Sequence, residues 1–467
     1  MTEVALEVAT LHAPDAIQQL LRKHDIRYTE VIEHPLLNPA RQVQAVLLGD
    51  AVGNLLVLIR KDELLDLTRL AEVCGRTLTA VPTDKLRRLL DPLRLGELPG
   101  LPLAINAPCL YDERILDIEF VLVASGQPGV LLEISTEQDG FRKALVNASS
   151  ARFGEAMKNP LVHAGLTGPL ATISKGVQAF TARRIQQRLE DTMEIPPLAS
   201  TAQKIIKLRV DPDASTDDVT GVVETDPALA AQVVSWAASP YYGSAGRIRS
   251  VEDAIVRVLG FDLVINLALG LALGKTLTLP KDNPQQATPY WQQSLYTAAV
   301  VEGLTRAIPR AQRPEAGLTY LSGLLHNFGY LLLAHVFPPH FSLVCRHLEV
   351  NPHLSHSYVE QHLLGISREQ VGAWLMAHWD MPEELVTALQ YQNDSTYSGE
   401  NAIYPNLVCL AVRLLRSRGK GFGAEEDIPD ALLERVGVTR EKAQEVVTKV
   451  LDAEQLLREL AQQFGQS

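Results

Sequence analysis

The sequence predicts two folds in series, an α+β domain followed by an all-helical one, and three observations predict it. Short apolar runs of strand length fill the first 145 residues and then stop. Helical periodicity takes over after Ile195-Pro-Pro-Leu198 and continues to the C-terminal region. Between the two, from Val146 to Arg184, the chain turns polar and irregular. At 467 residues the chain is too long for a single core, so separate domains are the natural outcome. The boundaries expected are an α+β domain at 1–150, a connecting segment at 151–192, a helical domain at 193–395 and a helical extension at 396–467.

Each element has a local reason. Asp15–His24 places Ile17, Leu20 and Leu21 on one helical face. The runs Ala45–Leu48, Leu55–Ile59, Pro102–Ile105, Phe120–Val123 and Val130–Leu132 are bounded by Gly, Asp, Asn or Pro, as buried strands are. Leu67–Cys74, stopped by Gly75, reads as a helix between strands, which makes the sheet a mixed one with helices. The polar segment carries a charged connecting helix over Ala179–Met193. Beyond it, Ser250-Val-Glu-Asp253 opens a capped helix that Gly260 closes. Further helices are predicted over Trp291–Arg306, Gly317–Val336, Ser357–Leu364, Arg368–His378, Glu383–Gln392 and Arg440–Phe464.

Composition narrows the function classes. A net charge of −12 argues against a phosphate-binding surface over the whole molecule. Cys74, Cys109, Cys345 and Cys409 lie far apart with no CxxC pair, which excludes a cysteine zinc knuckle and suits a reducing cytosol. The N-terminus is acidic where a signal peptide is basic. The longest near-apolar run, Leu263–Gly274, contains Asn266 and is too short to span a bilayer. A cytoplasmic protein with no membrane partner is expected.

Two resemblances follow. The segment Gln44-Ala-Val-Leu-Leu-Gly49-Asp50, then Leu55–Ile59, resembles the YbaK/prolyl-tRNA-synthetase-associated editing domain, whose members hydrolyse mischarged aminoacyl-tRNA. The family's signature lysine begins the strand after a His-Pro segment, here His34-Pro35, and supplies a cation where the ester binds. In this chain the matching position is Gln44, so the pocket of Gln44, His34 and Gly49 is expected to be degenerate. The family's later Gly- and Pro-rich loop is represented by Gly96–Pro102.

The second resemblance is to the HDOD domain, an HD-superfamily helical bundle. It rests on Met193–Ser200, on Val222-Val-Glu-Thr-Asp-Pro-Ala-Leu229, and on Tyr290–Ser294. It continues through Leu321-Ser-Gly-Leu-Leu-His-Asn-Phe-Gly329, Val371–Leu375 and Trp379–Pro382. Related HD phosphohydrolases hold divalent metals with histidines and an aspartate. Here the HD pair is His326-Asn327, and the other implied ligand positions carry Gln293, Arg368 and the pair Gln392-Asn393. The resemblance therefore implies no metal, no cofactor and a pseudo-enzyme in both domains.

Three further signals are set aside. The pair His353 and His356 would share a face if helical, but no paired-ligand spacing accompanies it. Gly419-Lys-Gly-Phe-Gly423 lacks the Lys-Ser/Thr end of a phosphate loop. The putting-together of Arg413, Arg416, Arg418 and Lys420 is followed at once by Glu425, Glu426 and Asp427, a mixed-charge surface. The function expected is a signal-transduction adaptor or regulatory scaffold that binds proteins of a signalling pathway. The alternative is a trans-acting aminoacyl-tRNA deacylase regulated by its helical domain, with tRNA as partner.

Overall fold

Strands β1 (Thr29–Ile32), β2 (Gln42–Gly49) and β3 (Asn54–Arg60) show why the apolar runs are continuous rather than alternating. Val43, Ala45 and Leu47 of β2 join Leu56 and Leu58 of β3 in one buried cluster. Val46 and Leu48 join Leu55, Val57 and Ile59 in another. Both faces of the hairpin are therefore covered, which demands apolar residues at every position.

These strands belong to a computed structural model describing residues 11–34, 36–137, 139–156, 198–209, 211, 213–242 and 247–464. Pro35 and the helix expected over Ala179–Met193 lie outside the described residues. The chain divides into two compact units. The first comprises residues 1–172, 284–286 and 343–355, the second 173–283, 287–342 and 356–467.

The remaining strands of the first unit are β4 (Glu63–Leu65), β5 (Thr79–Ala80), β6 (Cys109–Asp112), β7 (Phe120–Ala124), β8 (Val130–Ser135), β9 (Ala148–Ala151) and β10 (Gly154–Ala156). The main sheet runs β1-β8-β7-β2-β3-β6-β9, with β5 also on β2, and β10 pairs with β4 apart from it. Pairings β2–β7, β3–β6 and β6–β9 are parallel and the others antiparallel, so the sheet is mixed as expected.

Two expectations are corrected here. Pro102–Ile105 is not a strand but a 3-10 turn over Pro102–Ala104, since Pro102 has no N–H to give a ladder. Strand structure also does not stop at Val146: β9 and β10 follow it. Ser149 and Ser150 at the sheet edge gave no apolar signal to find.

The second unit is helical among its described residues. Its central helix, Phe261–Gly274, is buried from Val264 to Leu273, Asn266 included. Asp226 caps the helix Pro227–Ala237 by accepting from the Ala228 and Leu229 amides. The single helix expected over Gly317–Val336 is two, Ala316–Leu325 and Phe328–Val336, broken at His326-Asn327. Asn327 leaves helical geometry with φ −102° and ψ 17°. Arg440–Phe464 is likewise two helices, Arg440–Asp452 and Glu454–Phe464. Among the described residues no helix is long and apolar enough to cross a membrane.

Candidate functional site

Glycine sets the geometry of the HD-equivalent site. A Cβ on Gly329 would stand 1.8 Å from the Arg368 carbonyl oxygen and 2.9 Å from the Gly372 nitrogen. The helices Phe328–Val336 and Arg368–His378 therefore meet backbone to backbone, which only glycine permits. That approach brings Arg368 beside the broken turn at Asn327.

Arg368 is then held on three sides. Its Nε donates to Glu360 Oε1 at 2.6 Å and its backbone amide to Glu360 Oε2 at 2.8 Å. Its Nη1 donates to Asn327 Oδ1 at 3.1 Å, and the guanidinium lies 4.7 Å from the centre of the Tyr330 ring. Burial works against the Arg368 charge, but the Glu360 carboxylate more than offsets it and the pKa is raised.

A second ion set adjoins the first. His356 Nε2 lies 2.7 Å from Glu369 Oε1, while its Nδ1 faces Arg416 Nη2 at 3.4 Å. Ser357 Oγ donates to Glu369 Oε2 at 3.0 Å, and Asn393 Nδ2 to Oε1 at 2.8 Å. Arg416 Nη1 pairs with Glu426 at 3.0 Å. Burial alone would lift the Glu369 carboxyl, but His356 and Arg368 hold it below the usual carboxylate range.

His326 occupies the remaining corner. Its Nδ1 lies 2.7 Å from the Gly323 carbonyl, so that nitrogen carries the proton, and Nε2 is buried without a hydrogen-bond partner. Burial, then Arg416, His356 and Arg368, push its pKa down to about 4. Gln392 Nε2 donates to the His326 carbonyl at 2.7 Å.

The structure thus brings together His326, Asn327, Arg368 and Gln392. Gln293 stands apart from their hydrogen bonds and lines a small pocket with Tyr296, Lys420 and Gly421. Sequence reasoning missed Glu360, Glu369 and Arg416 as members of the site, while Asn393 belongs to the Gln392-Asn393 pair that the resemblance implies. His353 and His356 do not share a helical face, because the helix begins at His356.

This donor set does not fit a divalent metal. Both Glu360 oxygens and Asn327 Oδ1 already accept from Arg368. Both Glu369 oxygens are taken by His356, Asn393 and Ser357. Of the groups named here His326 Nε2 is the one without a hydrogen-bond partner, and two guanidiniums nearby would repel an added cation.

The editing-like pocket in the first unit is built differently. Gln44, half-buried on β2, spends its Nε2 on the neighbouring Ala45 carbonyl at 3.2 Å. Gly49 lies five residues further along, about 17 Å at the usual rise per residue, so the two share no pocket. His34 Nδ1 accepts from the Leu36 amide at 3.2 Å within an exposed turn.

A cation is nevertheless present. The hairpin register sets Val43 opposite Arg60, so Lys61 follows opposite Gln42. Lys61 Nζ donates to Gln42 Oε1 and to Glu33 Oε1, each at 3.0 Å. Glu97, from the Gly96–Pro102 loop, is pushed up to about 7 by burial and then by Glu33, with Lys61 opposing. The register of the hairpin, had it been worked out from the sequence, would have pointed to Lys61.

Comparisons with known proteins agree with this division. The HDOD domain family matches residues 195–395 and the aminoacyl-tRNA editing domain family matches 27–140. A crystal structure from Marinobacter aquaeolei VT8, described as a candidate signal transduction protein, is 40% identical, with a TM-score of 0.86. The match covers 97% of this chain and 100% of that one. An HDOD domain protein of unknown function from Geobacter sulfurreducens shares the fold at 21% identity and a TM-score of 0.51, over 62% of this chain and 98% of its own. An uncharacterized protein of Treponema pallidum is 22% identical over 258 residues; the match takes in 54% of this chain and 47% of that relative, about half its length. The chain belongs to the HDOD family and carries an aminoacyl-tRNA editing domain ahead of the helical one.

Proposed function

We propose that the chain is a regulatory adaptor in signal transduction that works by binding proteins, with a helical domain that performs no metal-dependent hydrolysis. The single observation that carries this is Arg368. Its guanidinium sits between Glu360 and Asn327, where HD enzymes are expected to offer ligands, and it neutralises the carboxylate that a metal would need. The description of the Marinobacter relative as a candidate signal transduction protein supports the same reading. The test is to incubate the full chain with Mn²⁺ or Mg²⁺, remove free metal, and assay bound metal and cyclic-dinucleotide hydrolysis. No stoichiometric metal and no turnover are expected. One or two tightly held ions per chain would overturn the reading.

Lys61 favours a second reading, in which the editing-like unit hydrolyses mischarged aminoacyl-tRNA. It supplies the positive charge that Gln44 lacks, two residue pairs away along the hairpin. Removing one such donor in an active enzyme costs roughly a hundred- to a thousandfold in rate. Deacylation of mischarged tRNA by the wild type, lost in Lys61→Met, would establish this reading over the adaptor.

A further inference from the structure

Within the first unit, β4, β6 and β10 enclose a group of charges that the editing-like pocket does not use. Asp112, at the end of β6, is fully buried. Its Oδ2 accepts from the Phe153 and Gly154 amides at 3.1 and 2.8 Å. Arg114 forks onto the same carboxylate, with Nε 2.8 Å from Oδ1 and Nη2 2.9 Å from Oδ2. Its Nη2 also donates to the Gly154 carbonyl at 2.6 Å. Arg60, at the end of β3, forks onto Asp62 in the same way, with Nε 2.8 Å from Oδ1.

Each guanidinium thus has its own aspartate, and Glu63 brings a third carboxylate to two cations. It is 1% exposed. Arg114 Nη1 comes within 2.8 Å of Glu63 Oε1, and Arg60 Nε only within 3.7 Å. Neither contact is a hydrogen bond, and among the described residues both Glu63 oxygens are buried without one. A carboxylate held in this way keeps its charge at a high cost, and a proton removes the cost.

The strand β10 lies directly on these side chains. A Cβ on Gly154 would stand 2.5 Å from Glu63 Oε2, 2.8 Å from Arg114 Nη2 and 3.1 Å from Asp112 Oδ2. Glycine is what lets the strand settle there, with Gly154 opposite Leu65 and Ala156 opposite Glu63 itself. Burial pushes the Glu63 carboxyl up to about 7; Arg114 and Arg60 oppose the rise, while Asp112 and Asp62 add to it. His353, from residues 343–355 of the same unit, donates from Nε2 to the Glu63 carbonyl. Burial holds its pKa down to about 4, so its charge does not change where that of Glu63 does.

We propose that Glu63 is a proton-operated clasp on β10, holding the strand against β4 while it is protonated and loosening it on ionisation. The inference stands whether or not either unit hydrolyses anything. The docked strand raises the carboxyl above its ordinary 4.5, so docking is strongest below pH 4.5 and weakens as pH rises to about 7.

Amide hydrogen exchange on the full chain tests it, read as protection relative to the intrinsic chemical rate at each pH. The Val46 and Val57 amides of the main sheet serve as reference. From pH 5 to pH 8, protection over 154–156 is expected to fall by roughly tenfold or more while the reference amides hold. Glu63→Gln, neutral throughout, should show no such fall. If Glu63→Gln does not fold, Asp62→Asn, at a partly exposed side chain, frees Arg60 to pair with Glu63 and should shrink the fall. A wild type whose protection over 154–156 does not change with pH would refute the clasp. So would a fall that Glu63→Gln or Asp62→Asn leaves undiminished.

Discussion

The two candidate sites hold their charges in opposite ways. In the helical unit the ion network closes on itself: Arg368 and Arg416 balance Glu360 and Glu369, and all four are buried. In the sheet unit the cation is Lys61, about a third exposed and paired with a partly exposed Glu33. The first arrangement fills a site and makes it structural. The second leaves charge at a surface where a ligand can reach it. Degeneracy at a motif position therefore has no single meaning, and it is the neighbours that decide it.

The largest test of this contrast is Glu360→Gln. It strands the buried Arg368 guanidinium, and breaking a buried pair from one side costs roughly 3–5 kcal/mol. The unfolding transition of the helical unit, followed by circular dichroism in urea, should fall accordingly. Adding Arg368→Met should restore most of the loss, because the buried cation goes with its partner. In the sheet unit, Glu33→Gln beside Lys61 should cost no more than about 1 kcal/mol, as for exposed pairs. Equal losses at the two sites would erase the distinction.

How much of this was legible in sequence follows from the range of the interactions. Leu67–Cys74 and Arg368–His378 have the bounds read from the chain, because caps and stops are local: Asp66 accepts from Thr68 and Arg69, and Gly75 takes φ 64°. The partners of the HD positions were not readable. Asn327 and Arg368 are 41 residues apart and meet through the Gly329–Gly372 crossing, and His356 and Arg416, on two other helices, are 60 apart. The break at His326-Asn327 was missed for the same reason: the apolar period runs through it. Lys61 was hidden because strand register, not spacing along the chain, sets it beside Gln42.

The next effect in size is a pH dependence at His326. Its folded pKa, about 4, lies below the ordinary 6.5. Between those values the unfolded chain binds a proton that the folded chain refuses. The stability His326 contributes is thus complete above pH 6.5 and is lost as pH falls towards 4, by at most on the order of 3 kcal/mol. His326→Gln, neutral throughout and able to donate to Gly323, should be less sensitive to acid than wild type over that window. Parallel stability curves for the two proteins would show that His326 is not sealed.

The smallest effect belongs to Glu97, and its sign is the reverse. Its folded pKa, about 7, lies above the ordinary 4.5, so between those values the folded chain binds the extra proton. The stability it contributes is complete below pH 4.5 and is lost as pH rises towards 7. Glu97→Gln keeps the shape and never ionises, so its advantage over wild type should grow from pH 4.5 to 7 and then level off. Glu33 drives part of this shift and Lys61 opposes it, and both are solvent-accessible. Burial sets most of the shift and the two charges oppose each other, so added salt should change the Glu97 difference little. The His326 difference, set by burial among paired charges, should persist in the same salt. A Glu97 difference that collapses in salt would mean that Glu33, and not burial, sets this carboxyl, and the pocket would then be more open to solvent than the helical site.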